Sequence, residues 1–175
     1  MPICLNLEHE REVMMKKTVS ELLEQKDLSH VPSIDYTGTI LEALHLLDEL
    51  NTGSLMVMQG PSIIGIFSER DFARASASKG SSLSLDTPVT ELMTTRIYYV
   101  TPDYSLDECM AVMCEIKVRH LPVFQGNIPV ALLSMRHIME ALVEENEFMI
   151  GQLVAYITGG TTGTEKIYRN ALIRD

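Results

Sequence analysis

Apolar positions along the chain change their period in a fixed order, and they do so twice. Ile40, Leu41, Ala43, Leu44, Leu47 and Leu50 recur at the three- and four-residue spacing of one helix face, and Thr39 with Glu42 supplies a capping box at its start. Residues 55–58 (LMVM) and 63–67 (IIGIF) follow as short apolar runs around Gln59, Gly60, Pro61 and Ser62, which predicts two strands joined by a turn. Ser68 then opens another helix. Further on come a strand at 97–100, a helix from Ser105 capped by Glu108, a strand at 121–124, a turn at 125–127, a strand at 129–133 and a helix from Ser134. Each half therefore reads strand, helix, strand, strand, helix.

Sliding the chain on itself aligns Thr18 to Leu22 with Pro88 to Leu92 at an offset of 70, and Gly65 to Ser68 with Ala131 to Ser134 at an offset of 66. Half a chain of this kind is too small to hold a large core, so the two repeats are expected to pack as one pseudo-twofold α+β unit. The predicted organisation is an N-terminal extension over 1–17, a first repeat over 18–78, a linker over 79–87 that closes the Ser-, Ala- and Lys-rich stretch 75–87, and a second repeat over 88–145. Residues 146–175 would then be the C-terminal helix and tail. Met139, Leu142, Val143, Phe148, Leu153 and Val154 predict that the last helix extends to about Tyr156, before Gly159, Gly160 and Gly163 break the pattern.

Composition narrows the functional classes. A formal charge of -10 over 175 residues repels phosphate backbones and anionic bilayers at long range, so nucleic acid and membranes are not expected partners. The N-terminal MPICLNLEHEREVMMKK carries charges where a secretory signal needs an apolar run, and no stretch approaches a membrane span; a cytoplasmic location is expected. Cys4, Cys109 and Cys114 have no metal-like spacing and are expected as reduced, mostly buried thiols, with Cys4 the one candidate for redox chemistry. His9, His30, His45 and His137 are scattered, and no metal site is expected. The stretch from Gly159 to Lys166 lacks the Gly-Lys-Ser/Thr ending of a phosphate loop, and no nucleophile, base and orienting group stand in recognisable order, so no catalytic residues are expected.

Four segments carry a resemblance to the CBS domain, a repeat found as tandem pairs in nucleotide-sensing proteins. Residues 65–71 (GIFSERD) resemble its ribose-binding motif, 118–123 (VRHLPV) the strand lining its adenine pocket, 100–102 (VTP) the segment before its first helix, and 149–160 (MIGQLVAYITGG) the ending of stand-alone bacterial and plant-organelle pairs. The resemblance spans about residues 18–160. It implies a non-catalytic regulatory module that binds AMP, ADP or ATP between the repeats, with NAD or S-adenosylmethionine as lesser alternatives. It also implies a homodimer and signalling to an unidentified regulated protein.

A fixed carboxylate accepts hydrogen bonds from both hydroxyls of a ribose diol, which is the expected role of Asp71. Ser68 stands at a strand-to-helix junction, where first-turn amides favour phosphate. Arg70, Arg119 and His120 would add positive charge, and Val118 an apolar wall for adenine. In the family the carboxylate of one repeat faces the adenine pocket of the other, so the resemblance pairs Ser68, Arg70 and Asp71 with Val100, Thr101, Pro102, Leu106, Val118, Arg119 and His120. The reciprocal position has Ala131 for Gly, His137 for Asp and Asp35 for Thr, and is expected to be weak, altered or empty. Ser68 with Asp71 is equally an ordinary capping pair. The competing function is a ligand-free dimeric scaffold.

Overall fold

A computed structural model describes residues 3–4, 17–26, 28 and 31–157, with backbone only at 3–4 and 155. Residues 1–135 form one unit and 136–175 another. In chain order the elements are β1 (Ile3–Cys4), α1 (Val19–Gln25), β2 (Ser33–Asp35), α2 (Ile40–Glu49), β3 (Ser54–Gln59), β4 (Ser62–Ser68), α3 (Glu69–Lys79), β5 (Tyr98–Tyr99), α4 (Leu106–Glu115), β6 (His120–Gln125), β7 (Ile128–Ser134) and α5 (Met135–Ile157). Short 3-10 turns at Gly80–Ser82 and Val89–Glu91 separate α3 from β5.

The repeat seen in the sequence governs the hydrogen bonding. Strands β3 and β4 pair antiparallel from Ser54↔Ser68 with a bulge at Val57/Met58, and β6 and β7 pair from His120↔Ser134 with a bulge at Val123/Phe124. In each repeat a parallel neighbour precedes the hairpin. Strand β2 pairs with β3 (Ile34↔Val57), and the bridge Val100↔Val123 makes the equivalent link in the second repeat. Where the sequence predicts a strand over 97–100, β5 is shorter, because Val100 makes its single bridge to Val123 and only Tyr98 and Tyr99 find a continuous ladder partner. That partner is β1, pairing in parallel as Ile3↔Tyr98 and Cys4↔Tyr99, in an extension where the sequence gives no strand signal.

Helices α1, α2, α3 and α4 all begin with the same reciprocal box: Thr18 with Glu21, Thr39 with Glu42, Ser68 with Asp71, and Ser105 with Glu108. Each satisfies two backbone or side-chain donors that would otherwise be orphaned at a helix start.

The repeats exchange their leading segments. Val19 N–H donates to the Tyr104 carbonyl and Leu106 N–H to Lys17, while Val89 N–H donates to Gly38 and Ile40 N–H to Thr87, all at 2.8–2.9 Å. Val89, from the second repeat, thereby completes the core cluster of Ile34, Ile40, Ala43, Leu47, Leu55, Val57 and Phe67 in the first. The alternation of β3 sends Leu55 and Val57 to that cluster and Met56 to the opposite face, where Met56 and Ile63 pack with Ile97, Phe124 and Leu132 of the second repeat. Neither repeat owns a complete core.

The second unit holds the rest of α5, whose Arg136 and Glu140 form an i, i+4 ion pair at 2.8 Å. No described helix is long and apolar enough to cross a membrane.

Candidate functional site

The strand-to-helix junction after β4 builds one wall of a cleft. Ser68 is the N-cap of α3, and Asp71 at its third helical position returns a carboxylate to it. Both cap bonds use one carboxylate oxygen: Asp71 Oδ2 accepts the Ser68 N–H at 3.0 Å and the Ser68 hydroxyl, while the Asp71 N–H donates back to Ser68 Oγ at 3.4 Å. Oδ1 accepts no hydrogen bond from a described residue. The capping role and a ligand role are therefore compatible.

The edge of β4 supplies the second wall. Ile66 and Thr94 exchange two backbone hydrogen bonds, 3.0 and 2.8 Å, which lay residues 94–98 beside Ser68 and Asp71. Gly65 leaves room for Met93 in this approach: a Cβ there would fall 2.3 Å from Met93 Sδ, so that side chain would have to move. Along this wall the Arg96 guanidinium lies 5.2 Å from the centroid of the Tyr98 ring, a cation–π stack.

The third wall comes from the other repeat. Helix α4 ends in a Schellman motif, in which Val118 N–H reaches the Met113 carbonyl at 3.0 Å and Lys117 takes a left-handed φ of 59°. The chain then turns through Arg119 into β6. Arg70 ties the walls together, its Nη1 donating to the Lys117 carbonyl at 3.2 Å. The His120 ring sits by Gly53, where a Cβ would lie 3.4 Å from its Cε1.

The cleft has a volume of about 180 Å³. Six of the ten expected residues line it: Ser68, Arg70, Asp71, Val118, Arg119 and His120. Val100, Thr101, Pro102 and Leu106 do not. Val100 and Leu106 are fully buried, the Thr101 hydroxyl donates to the Asp103 carboxylate, and the Pro102 carbonyl accepts from Ser20 N–H at 2.8 Å. Sequence reasoning missed Ile66, Arg74, Thr94, Arg96, Tyr98, Lys117 and Leu121. Arg74 had a legible signal, since it lies four residues after Arg70 on the same helix face. Arg96 had none, because the Ile66–Thr94 bridge that places it is a long-range pairing.

Asp35, the counterpart of Thr101, uses its carboxylate locally. It accepts the Thr37 hydroxyl at 2.6 Å and the Thr37 N–H at 3.0 Å, and these bonds, the hydroxyl first, hold it below the ordinary aspartate range. The two repeats thus carry the same acid–hydroxyl pair in opposite order, Asp35–Thr37 and Thr101–Asp103.

Exchanged leading segments, matched hairpins and a cleft lined from both repeats define a tandem CBS pair. The CBS domain model matches residues 12–78 and 89–144, and the chain belongs to that family. It is similar to the mitochondrial CBS domain-containing protein CBSX3 of Arabidopsis thaliana, with 28% identity over 151 residues that cover 82% of this chain and 73% of that one. A solved protein with CBS domains from Burkholderia ambifaria is 34% identical with a TM-score of 0.70, over 73% of this chain and 95% of that one. The structure of CBSX2 in complex with AMP shares the fold, with 21% identity and a TM-score of 0.58 over 74% of this chain and 98% of that one.

Proposed function

We propose that this chain is a non-catalytic regulatory module that binds an adenosine nucleotide in the cleft between its repeats, and that a partner protein reads the resulting change. The observation that carries the proposal is the Asp71 carboxylate, fixed by its cap with Oδ1 unengaged by described residues, on the wall of a cleft rich in cations. Oδ1 accepts the ribose diol, the base lies against Ile66, Val118 and Leu121, and the first-turn amides of α3 with the guanidinium groups face phosphate. The AMP bound to CBSX2 is consistent with an adenosine ligand in this fold.

Calorimetric titration of the wild type and Asp71→Ala with AMP, ADP and ATP is the test. Loss of a charge-assisted contact lowers affinity by about tenfold or more. Because Asp71→Ala also removes a helix cap, Glu42→Ala is the control: it opens the equivalent box of α2 away from the cleft, with a similar stability loss of about 1 kcal/mol. Equal affinity in wild type and Asp71→Ala would refute the ribose contact.

The same reading has the chain paired with a second copy in the cytoplasm. Pairing is supported by the exposed Met139, Val143, Met149, Ile150 and Leu153 of α5, more apolar surface than a lone helix leaves in water. Sedimentation equilibrium tests the pairing, and fractionation of cells tests the compartment that the mitochondrial relative brings into question.

A further inference from the structure

The cleft concentrates positive charge beyond what a monophosphate neutralises. We infer that its ligand carries two or three phosphates, and that Arg74 and Arg96 are the residues that distinguish such a nucleotide from AMP. The inference rests on the nucleotide reading above and deepens it.

Arg70, Arg74, Arg96, Lys117 and Arg119 line one cleft with a single carboxylate, Asp71. These are five of the chain's 14 Lys and Arg residues, gathered in a molecule of net charge -10. They arrive from three separate elements, so the clustering is a product of the fold and not of a basic run. The side chains of Arg74, Arg96 and Arg119 form no ion pair or hydrogen bond with a described residue; that of Arg96 is held instead by its stack on Tyr98. Five cations set against one carboxylate repel one another, and an anion that reaches several of them relieves that repulsion. A terminal phosphate brings roughly two negative charges near neutral pH, and each further phosphate adds about one more.

Geometry assigns the division of labour. At about 180 Å³ the cleft is smaller than the ~300–1,000 Å³ usual for ligand pockets, so a nucleoside fills it and the phosphates extend to its mouth. Arg70 is half-buried and already donates to the Lys117 carbonyl, which suits it to a first phosphate beside the α3 N-terminus. Arg74 lies one helical turn beyond it and is exposed, as is Arg96 on the facing wall. Guanidinium forks carried on two walls of one cleft are groups suited to successive phosphates.

The experiment is calorimetric titration of the full chain with AMP, ADP and ATP at low and at physiological salt, for the wild type and for Arg74→Gln/Arg96→Gln. The wild type is expected to bind ATP and ADP about tenfold more tightly than AMP, with the advantage shrinking as salt rises because the contacts are exposed. The double variant, whose substitutions are both at exposed positions, is expected to lose that advantage, weakening ATP and ADP about tenfold more than it weakens AMP, while the melting temperature holds. Equal wild-type affinities for AMP and ATP would overturn the inference and leave the nucleotide reading standing. So would a double variant that weakens AMP and ATP alike. Binding of no nucleotide at all would overturn both.

Discussion

Lys117 and Cys109 mark two ways in which one position is set by its neighbours. Lys117 occupies the left-handed C′ position that most helices give to Gly, with φ 59°, and Asn51 occupies the matching position after α2 with φ 47°. The strain at Lys117 is of order 1 kcal/mol; it places a cation at the cleft where Gly would offer none. Cys109 is fully buried on α4, and burial, with the Glu108 charge second, pushes its thiol up to about 12 from 9.0, whereas Cys114 is exposed. Native-state alkylation followed by peptide mapping is therefore expected to label Cys114 and spare Cys109. The sign for stability follows from the same shift. The folded thiol keeps its proton where the unfolded one has lost it, so this contribution is complete below about pH 9 and is lost as pH rises toward 12. A Cys109→Ala variant whose stability falls off equally steeply above pH 9 would remove the thiol as the cause. The redox expectation for Cys4 turns on a side chain outside the described residues; its backbone pairs with Tyr99.

At the scale of elements, helix starts were the most legible feature, because a capping box is written within four consecutive residues. Thr39 with Glu42 and Ser105 with Glu108 predict helix starts, and the structure places the helices one residue after each cap. Strand ends were legible to within a residue or two for the hairpins, since their apolar runs are bounded by turn residues. Strand β1 was not, for two residues carry no period. The element that most depends on a single position is the wall at 94–98. Gly65→Ala sets a Cβ against the Met93 side chain, which must repack, and the expected cost is about 1–3 kcal/mol with weakened nucleotide binding, because Met93 leads directly into the wall at 94–98. Urea denaturation and calorimetry measure the two effects. Adding Met93→Ala to Gly65→Ala should restore part of the stability, and failure to do so would locate the strain elsewhere.

For the molecule as a whole, the exchanged segments and the shared Met56–Phe124 cluster make the two repeats one cooperative body up to Met135. Met56→Ala, at a fully buried position between the sheets, is expected to cost about 2–5 kcal/mol and to lower the unfolding midpoint of both repeats together. Calorimetric unfolding that splits into two transitions would count against that. By itself the sequence determined the number of repeats, the order and type of their elements, the helix caps and the Ser68–Asp71 junction, because all of these are encoded by residues close together along the chain. Only the tertiary structure decided which leading segment docks on which repeat, that Val100 and Leu106 turn into the core rather than the cleft, and that Arg74, Arg96 and Lys117 join Arg70 and Arg119. Local period fixes where a side chain points within its own element. Which distant side chains share a cavity depends on pairings such as Ile66 with Thr94 and Val89 with Gly38, and these are settled by the burial of a common core that no short window of sequence contains.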